Sequence, residues 1–259
     1  MFDIYEQLKQ LRDQNKPAAL VTVIATKGST PREPGAKMIV CVDGSVYGTI
    51  GGSAVEALVI EEAKECLKKN LTRRVWHDLD DQKHADTGMI CGGKMEFFID
   101  PLIIPPHLYI FGGGHVALPL ARFAAMVGFS YTIVEDRQEY ASTERFPDAK
   151  EIILATSDDF EKKLKISSSD YIAIVTRSHE LDYLALKWIL NQDFKYLGLI
   201  ASKVKKKQVF DKLREEGFKA TDINRIHSPI GLDIAAQTPE EIAVSIVSEL
   251  IQVKNNSGK

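Results

Sequence analysis

Cys91 stands directly ahead of Gly92 and Gly93 in "TGMICGGKMEFFID", between a polar loop and an alternating apolar run that predicts a strand. A thiol in that position is either exposed, with backbone N–H groups near enough to stabilise a thiolate, or a structural residue of the strand mouth. The other two cysteines differ in context. Cys41 lies in the wholly apolar "MIVCV", and Cys66 shares a helical face with Val55, Val59 and Ala63, so both read as buried packing thiols. Three cysteines with no C-x-x-C pair argue against a disulfide framework and against a zinc ribbon.

A second group of residues has the chemistry of phosphate binding. In "LYIFGGGHVALPLARFAAMVGFSYTIVEDR", Gly112, Gly114 and Ala117 fall in the pattern G-x-G-x-x-G/A between a predicted strand and a predicted helix. Such glycines permit a tight turn and close backbone approach, and the helix start offers free N–H groups to a pyrophosphate. Glu135 and Asp136, near the end of the next strand, are candidates for a ribose hydroxyl, and Arg137 either reads a ribose 2′-phosphate or pairs with a neighbouring acid. His115, inside the glycine turn, either faces the ligand or serves as an exposed or capping histidine. "TRSHELD" ends a further strand and places Arg177, Ser178, His179 and Asp182 near the same crevice, although Ser178 also suits a helix cap. The lysines that open "ASKVKKK" are read as a solvated face rather than an anion site.

In the first half, "GSTPREPGAK" and "GTIGGS" place Gly51 and Gly52 where a backbone can approach a ligand, although turns need the same residue. Ser53 and Glu56 have the spacing of a capping box, which explains both without catalysis. "WHDLDDQKHAD" holds His77, His84 and four aspartates, but so polar a segment reads as a solvated loop, and no metal site is expected there.

These residues need elements to position them. The prolines of "DPLIIPPHL" break both helix and sheet ladder, so a boundary is expected there, giving domains 1–104 and 105–259. After it, near-continuous apolar strands alternate with helical patterns, which predicts a parallel sheet covered on both faces. Thr238, Pro239 and Glu241 signal the last helix. Before the boundary come an amphipathic helix, strands, an Asp43-Gly44 hairpin turn, the helix "SAVEALVIEEAKECLKKN" and the "RRVWHDL" and "MEFFI" strands. The expected class is α/β: a C-terminal Rossmann-like parallel-sheet domain with an N-terminal α+β domain.

Composition limits the function. The chain has 259 residues, 44% of them hydrophobic, enough for a sizeable core. No apolar run approaches the ~20 residues of a membrane span and the start does not read as a signal peptide, so no membrane partner and a cytoplasmic location are expected. A net charge of -3 predicts no nucleic-acid partner.

Together the segments "GSTPREPGAKM", "DGSVYGTIGGSAVE", "MICGGKMEFFIDPL", "LYIFGGGHVALPLA", "VEDRQEYASTERFP", "VTRSHELDYLAL", "YLGLIASKVKK" and "SPIGLDIAAQTPEEIAVSIVSELI" resemble the xanthine dehydrogenase accessory factor family, the XdhC/CoxI family, nearly end to end. The resemblance implies a carrier for the molybdenum cofactor, a molybdopterin or its dinucleotide form. Such a carrier helps exchange an oxo for a sulfido ligand and delivers the product to an apo molybdenum hydroxylase. It implies an accessory factor more than a turnover enzyme. The family's cysteine motif falls on Cys91, its glycine motif on Gly51 and Gly52, and its nucleotide-type loop on Gly112, Gly114 and His115, followed by Asp136 and Arg137. Two positions depart from the family pattern, which has glycine where this chain has Ser53 and often at Ala235. On this reading Cys91 holds or sulfurates the metal end of the ligand and the 112–117 loop holds its phosphate. A cysteine desulfurase is a further expected partner, and self-association is expected of a protein that shields a labile cofactor. The competing readings are an NAD(P)-dependent oxidoreductase and a nucleotide-sensing regulator.

Overall fold

The structure, a computed structural model, describes residues 2–79, 93–102 and 104–256, without the side chains of Ser53 and Ala54. The chain divides into two compact units, residues 1–104 and 105–257.

The first unit is built on an antiparallel sheet of five strands. In chain order its elements are α1 (Ile4–Asp13), β1 (Ala18–Lys27), β2 (Lys37–Cys41), β3 (Val46–Gly48), α2 (Ser53–Lys69), β4 (Arg73–Asp78) and β5 (Lys94–Pro101), with strand order β3-β2-β1-β5-β4. Asp3 starts α1 by accepting from the N–H groups of Tyr5 and Glu6 at 2.8 and 3.3 Å. The Asp43-Gly44 turn forms as expected: Asp43 accepts from the Ser45 N–H, Gly44 takes φ +86°, and Met38 pairs with Gly48 across the hairpin. Apolar residues of α2 spaced by three and four, Val55, Val59, Ala63 and Cys66, pack on one sheet face against Val21, Met38 and Phe97. Leu11 of α1 covers the other face with Ala18, Ile39 and Cys41. Cys41 and Cys66 are therefore buried free thiols, and burial pushes the Cys66 thiol up.

The second unit is a six-stranded parallel sheet. Its elements are β6 (His107–Phe111), α3 (Ala117–Met126), β7 (Ser130–Glu135), β8 (Glu151–Leu154), α4 (Phe160–Lys163), β9 (Tyr171–Ile174), α5 (His179–Ile189), β10 (Tyr196–Leu199), α6 (Lys203–Glu215), α7 (Ala220–Ile223), β11 (Ile226–His227) and α8 (Pro239–Asn256). The strand order β8-β7-β6-β9-β10-β11 is the doubly wound order 3-2-1-4-5-6, with every neighbouring pair parallel. Alternation along each strand divides the core between two layers. Phe111, Ile172, Ile174 and Leu199 face α5 and α6, whereas Leu108, Ile110, Tyr131 and Ala173 face α3 and α8. The capping box of α8 forms: Thr238 accepts from the Glu241 N–H at 3.2 Å, and Glu241 accepts from the Thr238 N–H at 3.1 Å. Sequence pattern does not reveal β11, which is too short for periodicity to register.

Candidate functional site

Three consecutive glycines at the carboxyl end of β6 do three different jobs. Gly112 has φ +106°, and a Cβ there would lie 2.7 Å from the Val175 carbonyl oxygen, so the position admits only glycine. A Cβ at Gly113 would lie 2.6 Å from the carbonyl oxygen of Tyr140. At Gly114 a Cβ would meet nothing within 4 Å. The N–H groups of Gly114, His115 and Val116 have no hydrogen-bond partner among the described residues. Packing thus accounts for the first two glycines, and the third leaves open backbone at the positive end of α3.

Glu135, buried at the end of β7, turns back behind this loop instead of reaching outward toward a ribose. Its Oε2 accepts from the Gly113 N–H at 2.6 Å, and its Oε1 accepts from the Arg137 N–H at 3.1 Å and from Arg137 Nε at 3.0 Å. Burial works against the charge, but the bonds from Arg137, Asp136 and the Gly113 N–H outweigh it and hold the carboxyl at about 2. Arg137 is therefore the partner of a neighbouring acid, with its guanidinium 3.7 Å over the Tyr140 ring. Asp136 pairs with Arg177 at 2.5 Å, a link between the ends of β7 and β9. The crevice between those strand ends, lined by Gly112, Asp136, Thr156, Thr176 and Arg177, has a free volume of about 30 Å³, room for a water molecule rather than a nucleotide.

The expected residues thus fall into three places. Gly112, Asp136 and Arg177 share the crevice. His115 is exposed and lines a different groove, with Arg122, Tyr140 and Arg145. His179 is the exposed first residue of α5, whose cap is Ser178, accepting from the Leu181 N–H at 3.3 Å.

Two of the lysines after Ser202 depart from the expected solvated face. Lys205 ion-pairs with Asp182, which has no exposed surface, and Lys206 donates to the Ser228 carbonyl. Burial pushes the Asp182 carboxyl up despite bonds from Lys205 and Thr176. Sequence reasoning also missed Glu249, which accepts from Tyr196 Oη at 2.6 Å and from the Gly231 N–H at 2.6 Å, and lies 2.7 Å from His227 Nδ1. A signal existed, because an acid on the α8 face that carries Ala243, Ile246 and Leu250 has to find partners.

In the first unit, Gly51 and Gly52 have φ +141° and +79°, and a Cβ on Gly51 would lie 2.6 Å from Pro31 Cγ, so the "GSTPREPG" and "GTIGG" loops pack on each other. The expected Ser53–Glu56 capping box does not describe this turn. Gly52 is the N-cap and Ser53 is already helical, while Glu56 reaches back to accept from the N–H groups of Gly52 and Ile50 at 2.8 and 3.0 Å and from Thr49 Oγ1 at 2.5 Å. Burial raises the Glu56 carboxyl, but these bonds outweigh it and leave the group below its ordinary value. A side chain on Gly93 would collide with the Ser29 carbonyl, which requires glycine at that point. Cys91 lies outside the described residues, as do His84, Asp80, Asp81 and Asp86 of the polar loop. His77 Nε2 is 3.3 Å from Glu62.

A doubly wound unit with a glycine loop at its first strand end, joined to an antiparallel α+β unit, defines a Rossmann-type two-unit protein. Residues 108–250 match the family described as "XdhC Rossmann domain", and residues 11–77 match the "XdhC and CoxI family". The chain belongs to the XdhC and CoxI family. It is 36% identical over 98% of its length to "Uncharacterized protein YqeB" of Escherichia coli (strain K12), covering 47% of that protein. It is 31% identical over 61% of its length to a probable xanthine dehydrogenase subunit of Bacillus subtilis (strain 168), covering 46% of that protein. The chain therefore spans about half the length of the curated relatives it matches. A crystal structure described as a xanthine dehydrogenase from Bacillus halodurans shares the fold, with a TM-score of 0.54 at 24% identity, covering 97% of this chain and 95% of that one. Among the described residues no helix is long and apolar enough to cross a membrane.

Proposed function

We propose that this chain serves the maturation of a molybdenum hydroxylase of the xanthine dehydrogenase type, by binding the molybdenum cofactor and assisting its sulfuration and insertion. Membership of the family and the name of the Bacillus subtilis relative support the process. The observation that carries the binding step is the open first turn of α3, where the N–H groups of Gly114, His115 and Val116 are unbonded and Gly114 leaves space. That turn fits the phosphate of a molybdopterin or of its dinucleotide form. The cofactor would supply a molybdenum centre that exchanges an oxo for a sulfido ligand, and Cys91 is the thiol proposed to hold that metal or to pass it sulfur. The partners on this reading are the apo hydroxylase, a cysteine desulfurase and a second copy of the chain. The nicotinamide reading has less support, because Glu135 is turned behind the loop and Asp136 is tied to Arg177, so neither carboxylate is free for a ribose.

The test is purification of the protein and of Cys91→Ala from a molybdenum-replete host, followed by pterin fluorescence, molybdenum content and activation of an apo hydroxylase. Wild type should carry pterin and molybdenum and activate the hydroxylase, and Cys91→Ala should lose activation. NAD(P)H turnover without pterin would sink the reading, and equal activation by the variant would remove Cys91 from it.

A further inference from the structure

On the outer side of α3 lies a groove of about 430 Å³ whose two arginines none of the roles above uses. His115, Arg122 and Phe123 form one side, Tyr140 and Arg145 another, and Glu240 at the start of α8 a third. Its charge is unbalanced. Neither Arg122 nor Arg145 is ion-paired with a carboxylate among the described residues, and that includes Glu240 of the same groove. Elsewhere in this unit Arg137, Arg177 and Arg214 each have an acid within 3.0 Å, and Arg225 stacks on Phe194.

Arg145 is the more telling of the two. Its Nη2 donates to the Gly113 carbonyl at 2.9 Å, and its guanidinium lies 5.2 Å from the Tyr140 ring centroid and 5.8 Å from that of Phe146. Its Nε is enclosed yet bonds to nothing. Nη1 also makes no hydrogen bond among the described residues and, unlike Nε, is not enclosed, so it is the donor left open to an external acceptor. A planar guanidinium presents its remaining donors as a fork that matches phosphate oxygens, and Arg122, exposed on the same groove, adds a second fork. The apolar Leu118, Pro119 and Phe123 give the groove a floor.

We propose that this groove is a binding site for a phosphate ester or anhydride, with Arg122 and Arg145 holding the phosphoryl oxygens and His115 beside them. The site rests on the Arg122 and Arg145 side chains and not on Cys91 or the N–H groups of the α3 turn, so the arginine variants test it apart from the cofactor reading. Its link to the glycine loop is the Arg145 bond to Gly113, through which an anion in the groove bears on the loop's position.

Inorganic pyrophosphate is the probe, titrated calorimetrically into the full chain at low and moderate salt. Wild type should bind it saturably, and added salt should weaken binding. Arg122→Ala should weaken binding at least tenfold, with Arg122→Lys intermediate, because Arg122 makes no bond that the fold needs. Arg225→Ala, a guanidinium stacked on Phe194 outside the groove, should bind as wild type. Absence of pyrophosphate binding by wild type would overturn the proposal. So would unchanged affinity in Arg122→Ala, which would leave the anion to the N–H groups of the α3 turn alone.

Discussion

The two units each hold a glycine loop with a carboxylate turned back onto backbone N–H groups, and they differ in where that carboxylate sits and what balances it. Glu56 rises from the first turn of α2 and fills the positive end of its own helix, taking the Gly52 and Ile50 N–H groups and the Thr49 hydroxyl. Glu135 sits behind the loop at the end of a strand, takes the Gly113 N–H and is balanced by Arg137. The first arrangement sets a carboxylate against the positive end of its helix, and the second leaves the start of α3 open to an external anion. Two loops that look alike as strings of glycine are thus unequal as binding surfaces.

The balance of charge gives the largest expected difference. Glu135→Ala leaves the Gly113 N–H without its acceptor and Arg137 with only Asp136, 3.8 Å from its Nε, and should destabilise the second unit by about 2–4 kcal/mol. Glu56→Ala leaves unbonded N–H groups but no stranded charge, and should cost about 1–3 kcal/mol in the first unit. The chain has two tryptophans, one in each unit, Trp76 and Trp188. Urea unfolding followed in Trp76→Phe and Trp188→Phe backgrounds therefore reads the units separately. Equal losses would show that the arginine is not what distinguishes the loops.

Much of the frame was legible in the sequence, because strands such as "YIAIV" and the α2 stripe Val55, Val59, Ala63, Cys66 carry their burial pattern in residue type. The capping box of α8 and the Asp43-Gly44 turn were legible for the same reason, since each is decided by neighbours in sequence. Glu56, Glu135 and Lys205 were harder to read. Glu135 and Lys205 are charged residues whose places depend on partners brought near by tertiary structure, Gly113 and Asp182, whereas Glu56 turns on the local backbone of the Gly51-Gly52 loop, which moves the cap from Ser53 to Gly52. Local rules gave Glu135 a ribose and Lys205 solvent, because they weigh only what stands beside a residue in the chain. Ala235 takes φ +58°, a left-handed conformation that favours glycine, the residue the family resemblance leads one to expect there.

Acid titration should sharpen the comparison by a somewhat smaller amount. The Glu135 carboxyl lies at about 2 in the folded protein against an ordinary 4.5, so its stabilisation is complete above 4.5 and is lost as pH falls through 2. The second unit has an additional group, His107, which burial between Ser130 and Thr132 holds at about 4 against an ordinary 6.5. A depressed histidine stabilises most above 6.5 and loses that contribution as pH falls to 4. The second unit should therefore weaken in two stages, 6.5 to 4 and then 4.5 to 2, each by at most about 3 kcal/mol. Urea midpoints read by Trp188 across this range should show both stages, and His107→Gln should remove the upper one. A midpoint flat between 6.5 and 4.5 in the parent would mean that the histidine is not held neutral.

The smallest effect on stability is expected at the position most exposed to a ligand. Gly112 and Gly114 differ by two residues, yet an added methyl at the first collides with the Val175 carbonyl and at the second meets open space. Gly114 also lacks a positive φ, so alanine there loses no allowed backbone and restricts the unfolded chain slightly. Gly114→Ala should therefore fold with a stability within about 0.5 kcal/mol of wild type. If the open N–H groups of the α3 turn receive a phosphate at close range, the same methyl should cut retention of bound pterin severalfold while the unfolding midpoint stays put. A stable Gly114→Ala protein that keeps all its pterin would break the inequality between the loops, because the third glycine would then serve neither packing nor ligand.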